Sequence, residues 1–231
     1  MKSALYERLA AAAEAGIPAA VVTRLGDGEQ GLLAGDRWEG ALELTEEQRA
    51  AVRRMRSADR SGMLAGAEGL FVRCYVRAPR LVLVGAAHIS QFLAPMATLA
   101  GFEVIVIDPR RAFASAERFP GVRLLDDWPD DALAQVKLDA RSAVVTLTHD
   151  SKLDDPALIA ALASPAFYIG ALGSTRTHAK RVARLTQAGL GAEIGRIHAP
   201  VGLDLGGRAP REIAVSILAE VIRVRYRGES P

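Results

Sequence analysis

With 231 residues, 50% of them hydrophobic and 24% charged, the chain can bury a substantial core, as one large domain or as a small domain joined to one of about 150 residues. A net charge of +2, from 29 basic and 27 acidic residues, is too small to argue for a nucleic-acid partner; arginines scattered among acids read first as a solvated surface. One cysteine excludes an internal disulfide framework and a cysteine-built zinc cage, and no apolar stretch is long enough to predict a membrane span.

In chain order, Leu5, Leu9 and Ala12 recur at helical spacing over residues 3–15, with Gly16 as a stop. This helix carries Glu7 and Glu14 and does not read as a signal peptide, so a cytoplasmic protein is expected. AAVVTRL (19–25) predicts a strand. GDGEQGLLAG predicts a hairpin, LTEEQRAAVRRMR a helix opened by Thr45 with Gln48 as a capping box, and GLFVRCYV a closing strand. Cys74 alternates within that strand and reads as a packed residue rather than a nucleophile. Ala78-Pro79-Arg80 marks the expected boundary between a small α+β domain (1–78) and a second domain (79–231), because proline does not continue a central strand.

From Leu81 the pattern alternates. LVLVG, EVIVID (103–108), VRLL (122–125), SAVVTLTHD (142–150) and AFYIGALG (166–173) predict strands. HISQFLAPMATLAG, RRAFASAERF, PDDALAQV, DDPALIAALA, STRTHAKRVARLTQAG and PREIAVSILAEVIRVRYR predict helices, with Pro95 awkward inside the first. Continuous apolar strands separated by helices imply a parallel sheet covered on both faces, hence an α/β fold with a Rossmann-like, doubly wound sheet.

In such sheets ligands bind beyond the carboxyl ends of the strands. Those ends deliver Gly85, Ala86, Ala87 and His88; then Asp108 and Arg110; then Thr148, His149 and Asp150; then Gly173, Ser174 and Arg176. Gly85 either turns the strand into the helix or also cradles a phosphate. Ala87 stands where a dinucleotide fingerprint needs glycine, which counts against a standard NAD pose. Asp108, 23 residues after Gly85, has the spacing of a ribose-binding acid, or caps the helix expected after it. Gly173–Arg176 is the stronger anion signal, with backbone amides, two hydroxyls, a helix N-terminus and the nearby Lys180 and Arg181; an ordinary helix cap is the alternative. Thr146 and Thr148 are expected on one face, and His88 opposite His149. His88, His149, His178 and His198 show no metal-binding spacing, so no metal site is expected.

Five segments in order carry a resemblance: LVLVGAAHISQFLAPMATLAGFEVIVIDPR, RFPGV, VVTLTHDSKLDDPAL, YIGALGSTRTHAKR and RIHAPVGLDLGGRAPREIAVSILAEVI. Over about 150 residues the chain resembles the C-terminal half of the XdhC/CoxI family, maturation factors for molybdenum hydroxylases such as xanthine dehydrogenase and carbon monoxide dehydrogenase. The resemblance implies a chaperone, not an enzyme with catalytic residues of its own. Such a protein binds the molybdenum cofactor (molybdopterin or molybdopterin cytosine dinucleotide), protects it during sulfuration and delivers it to the hydroxylase large subunit. It also implies a homodimer and a cysteine desulfurase as a further partner. The family's Gly-Ala-Gly-His turn falls on Gly85, Ala86, Ala87 and His88, and its Asp-x-Arg strand end on Asp108 and Arg110. Its Thr-His-Asp segment falls on Thr148, His149 and Asp150, its Gly-Ser-x-Arg loop on Gly173, Ser174 and Arg176, and its Gly-Leu-Asp-x-Gly loop on Gly202–Gly206, including Asp204. The chain departs from the family at Ala87 and in lacking the Gly-Gly-Cys segment that many members carry. Two other readings stand beside this one: an NAD(P)-dependent oxidoreductase or nucleotide-sensing protein, and an interaction scaffold with a vestigial crevice.

Overall fold

Ala19–Arg24 (β1) starts with an unbroken apolar run because both of its faces are covered. Ala19 and Val21 join the cluster of Leu5, Leu9 and Ala12 on helix α1 (Ser3–Glu14), while Ala20 and Val22 join that of Val52 on helix α2 (Glu46–Ser57). The remaining strands of this sheet are β2 (Gln30–Ala34), β3 (Arg37–Gly40), β4 (Gly62–Met63) and β5 (Leu70–Tyr75). In the computed structural model, which describes residues 3–227, they pair antiparallel in the order β3-β2-β1-β5-β4. The expected capping box is present: the Thr45 hydroxyl accepts from Gln48 N–H at 3.2 Å, and Gln48 Oε1 accepts from Thr45 N–H at 3.0 Å.

Strands β3 and β4 are too short to show a period in the sequence. The first is anchored by Trp38, whose indole lies across the bare α-carbon of Gly31 and donates to Leu42 O at 3.0 Å. Cys74 is buried, its backbone N–H donates to Ser61 Oγ at 3.0 Å, and burial pushes its thiol up from the ordinary value. It is therefore a poor nucleophile.

These elements belong to one compact unit, Met1–Arg77; a second, Ala78–Pro231, has its own sheet. Its strands are β6 (Arg80–Val84), β7 (Glu103–Ile107), β8 (Arg123–Leu125), β9 (Ser142–Thr146), β10 (Tyr168–Ala171) and β11 (Ile197–His198). All pair in parallel, in the order β11-β10-β9-β6-β7-β8. Alternation within β6 sorts the layers. Leu81 and Leu83 pack with α3 (His88–Leu99) and α7 (Pro210–Arg227), and Val82 and Val84 with α4 (Pro129–Val136) and α5 (Ser151–Leu162). Leu185 of α6 (Thr175–Gln187) joins the second face. This is a doubly wound α/β sheet of Rossmann type.

Helices α3 and α5 run through Pro95 and Pro156, because packing on the sheet outweighs one missing backbone hydrogen bond. The helix expected at RRAFASAERF is a correction. Residues 110–119 make two separate turns, closed by Phe113 and Ala114 N–H on Arg110 O and by Arg118 and Phe119 N–H on Ser115 O. Arg110 is pulled back onto Asp108, and the Ser115 hydroxyl accepts from Arg118 N–H at 3.4 Å, so local side-chain bonds replace the helical ladder.

Candidate functional site

Strand order reverses between β6 and β9, so the loops that follow these strands open a crevice at the carboxyl edge. Gly85 follows β6 at φ +108°, and a methyl group on it would lie 2.5 Å from Thr148 Cγ2, beyond β9. Glycine is thus required here by the approach of the neighbouring loop, whether or not a ligand binds. Ala86 N–H donates to Asp108 Oδ2 at 2.8 Å. The Asp108 carboxylate is fully buried and also takes Arg110 N–H (3.0 Å) and Nε (2.8 Å) on Oδ1 and Nη2 (2.8 Å) on Oδ2. Burial alone would raise its pKa; the Arg110 guanidinium and the two amides outweigh that and hold it below the ordinary carboxylate range. A ribose hydroxyl could reach Asp108 only by displacing one of these donors. Ser90 Oγ donates to Gly85 O, Ala87 is the N-cap of α3, and His88 is exposed. Phe113, 45% exposed, lies under Arg110 (4.7 Å) and Arg118 (5.8 Å).

On the other side of the switch point Thr148 is equally committed. Its hydroxyl donates to Asp154 Oδ1 at 2.6 Å and accepts from Asp150 N–H at 3.1 Å. Asp150 caps α5, accepting Lys152 N–H at 2.9 Å, and its charge also reaches Arg110 across the crevice. Thr146 is buried like Thr148, but its hydroxyl has no hydrogen-bond partner among the described residues.

Beyond β10, Gly173 (φ +139°) turns the chain into α6, and the Ser174 hydroxyl caps that helix by accepting Thr177 N–H at 3.2 Å. Between the first turns of α5 and α6 lies a cleft of about 370 Å³, walled by His149, Ser151, Arg176, Thr177 and Lys180. Its charge is predominantly basic, and the first N–H groups of α6 have no intrahelical acceptor. Arg184 is already paired with Asp155, through Nε at 2.5 Å and Nη2 at 2.9 Å. At the floor are Asp154 and Arg181, 3% and 2% exposed. Burial pushes the Asp154 carboxyl up to about 6, against the pull of Thr148 and Arg181.

The structure therefore brings His149 and Arg176 to one cleft and knots Ala86, Asp108 and Arg110 together. Asp204 is exposed and turns Oδ1 onto Gly206 N–H of its own loop at 3.2 Å. Sequence reasoning did not single out Tyr168 and Glu220. The buried Glu220 accepts from the Tyr168 hydroxyl at 2.6 Å and Gly202 N–H at 2.8 Å, with His198 Nδ1 3.6 Å away. Burial opposes its charge, but His198, Tyr168 and Gly202 together draw its pKa down to about 2. The His198 ring stacks on Tyr168 at 4.6 Å, and Gly170 leaves room for Tyr168: a methyl group there would lie 2.9 Å from its Cε1 and 2.5 Å from Val201 Cγ2. Among the described residues no group of three or more His, Cys, Asp or Glu could hold a metal ion, and no helix is long and apolar enough to cross a membrane.

Residues 81–221 match the family model described as the XdhC Rossmann domain. The chain is 35% identical over 161 residues to the protein YqeB of Escherichia coli K12, covering 69% of this chain and 30% of that one. It is 34% identical over 159 residues to a probable xanthine dehydrogenase subunit of Bacillus subtilis 168 (68% and 46%). It is likewise 34% identical over 151 residues to the molybdenum cofactor insertion chaperone PaoD of Escherichia coli K12 (65% and 41%). The chain spans less than half the length of these curated relatives. Among solved structures it is similar to a crystal structure from Bacillus halodurans described as a xanthine dehydrogenase, with a TM-score of 0.69 and 26% identity over 98% of this chain and 65% of that one. With more than half of its residues matched by that model, the chain belongs to the XdhC family.

Proposed function

We propose that this protein binds the molybdenum cofactor as cargo and passes it to the large subunit of a molybdenum hydroxylase, acting as a maturation factor rather than as an enzyme. Family membership supports the role, as does likeness to a relative named as a molybdenum cofactor insertion chaperone. The observation that carries the reading is the α5–α6 cleft, where Arg176, Lys180, His149 and two hydroxyls converge at helix N-termini. That donor set fits the phosphate end of the pterin, whether a monophosphate or a cytosine dinucleotide. Cys74, packed and raised, is not assigned a thiolate role.

Binding of NAD(P) at the Gly85 turn is the weaker reading. Ala86 N–H and both Asp108 oxygens are already engaged, and Ala87 carries a side chain where backbone would have to approach a pyrophosphate. The test is anaerobic gel filtration of the full chain with free molybdenum cofactor. Co-elution is expected, with at least about a tenfold loss of retention for Arg176→Ala plus Lys180→Ala together. Absence of co-elution for the unaltered chain removes the reading. Mass spectrometry of the ligand co-purified from a molybdate-replete host distinguishes the mononucleotide from the dinucleotide form.

A further inference from the structure

Arg181 is a buried cation whose hydrogen bonding is incomplete. Its side chain is 3% exposed, yet among the described residues only Nη2 has partners: Leu172 O at 2.9 Å and, more loosely, Asp154 Oδ2 at 3.6 Å. Nε and Nη1 are buried with no acceptor among the described residues. A guanidinium does not escape this by losing its proton in the physiological range, and a buried unmet donor is costly. Asp154 does not complete the pairing, because its Oδ1 is taken by Thr148. A close ion pair would hold a carboxyl below its ordinary value, whereas burial dominates at Asp154 and pushes it up. Arg181 and Asp154 thus share a low-dielectric floor without satisfying one another.

The unmet donors suit a particular chemistry. Arg181 and Asp154 line the same cleft as Arg176, Lys180 and His149, with Arg181 about two turns along α6 from the Ser174 cap. Arg184 is occupied by Asp155, and the nearby His178 Nδ1 is buried without a partner among the described residues. A tetrahedral, multiply charged oxyanion offers several acceptor oxygens to such donors, which a single carboxylate cannot do.

We propose that Arg181 is a phosphate-binding residue at the floor of the α5–α6 cleft, with Asp154 as a resident counter-ion that the incoming phosphate group displaces. As Asp154 leaves Nη2, the freed guanidinium turns its buried Nε and Nη1 to the bound phosphate, while the exposed Arg176 and Lys180 close over it from the rim. Asp154 makes the site reversible: it competes for the guanidinium and so limits how tightly the cargo is held, which suits a protein that must give its cargo up. The assignment of the phosphate to the cofactor's tail rests on the reading above; the site itself requires only a phosphate group.

The experiment is calorimetric titration of the full chain with inorganic pyrophosphate at pH 8. The unaltered chain is expected to bind. Asp154→Asn, which keeps the shape and the Thr148 contact but removes the competing charge, is expected to bind about three- to tenfold more tightly. Arg181→Met, with its fold checked by thermal melting, is expected to bind at least about tenfold more weakly. Equal or weaker binding by Asp154→Asn overturns the proposal, whether or not Arg181→Met folds; so does wild-type affinity in folded Arg181→Met, or no binding by the unaltered chain. Cofactor retention with unchanged pyrophosphate affinity in both variants rejects this site alone. Pyrophosphate binding that follows the expected order, without cofactor retention, rejects the cofactor reading alone.

Discussion

The Tyr168 hydroxyl donates to Glu220 Oε2 at 2.6 Å, tying the first residue of β10 to the middle of α7. The same oxygen accepts Gly202 N–H at 2.8 Å, so one carboxylate fixes a strand, a helix and the start of the Gly202–Gly206 loop.

Glu220→Ala is expected to destabilise the protein by about 3 kcal/mol, because two buried donors lose their acceptor. Glu220 is held near 2 in the folded state against an unfolded value of 4.5. Its contribution is therefore fully present above 4.5 and is lost as the pH falls from there through about 2. Urea denaturation between pH 3 and 7 should show a steeper acid loss in the native chain than in the variant. Parallel curves would mean that Glu220 titrates normally.

Asp154 has the opposite sign. Its carboxyl titrates at about 6 when folded and at 3.8 when unfolded, so the folded state holds the proton longer. The stability this contributes is present below 3.8 and is lost as the pH rises through about 6. Asp154→Asn should gain on the native protein by about 2–3 kcal/mol between pH 4 and pH 7.5, read as the difference between the two denaturation series. A constant difference would count against the buried, raised carboxyl.

Gly85→Ala places a methyl group 2.5 Å from Thr148 Cγ2 on a backbone at φ +108°. It is expected to cost about 2–4 kcal/mol and to shift the β9–α5 loop. Ala87→Gly sits in extended backbone at the N-cap of α3 and should change stability by less than about 1 kcal/mol. Thermal melting of the two variants side by side checks the contrast.

Asp108→Ala strips acceptors from Ala86 N–H and from three Arg110 donors at once. The expected cost is about 3–5 kcal/mol, with the Arg110 loop losing amide protection first. Hydrogen exchange that leaves residues 109–114 as protected as in the native chain would contradict this.

The alternation of apolar strands and helices was legible because the central strands β6, β7, β9 and β10 are buried on both faces and read as continuous runs. The Thr45–Gln48 box was legible because its residues lie three apart. Residues 110–119 were not: their composition suits a helix, but Arg110 is captured by Asp108, a contact decided by the depth of β7. His149 and Arg176 could be placed from strand ends alone. Glu220 could not, since its partners Tyr168 and Gly202 lie 52 and 18 residues away and an acid within LAEVI gives no local sign of them. Arg181 was legible as a basic residue near the Gly173–Arg176 loop, but its burial was not, because it depends on how α6 meets α5.

Gly170 shows how a loop can be set from inside a sheet. Its bare α-carbon lets the Tyr168 ring lie flat along β10 and gives Val201 a seat. A single added carbon would lift the ring, withdraw its hydroxyl from Glu220, and unhook the backbone at Gly202 where the next loop begins. The height of one aromatic ring above a strand thus acts as the gauge block for a surface loop more than thirty residues further along the chain.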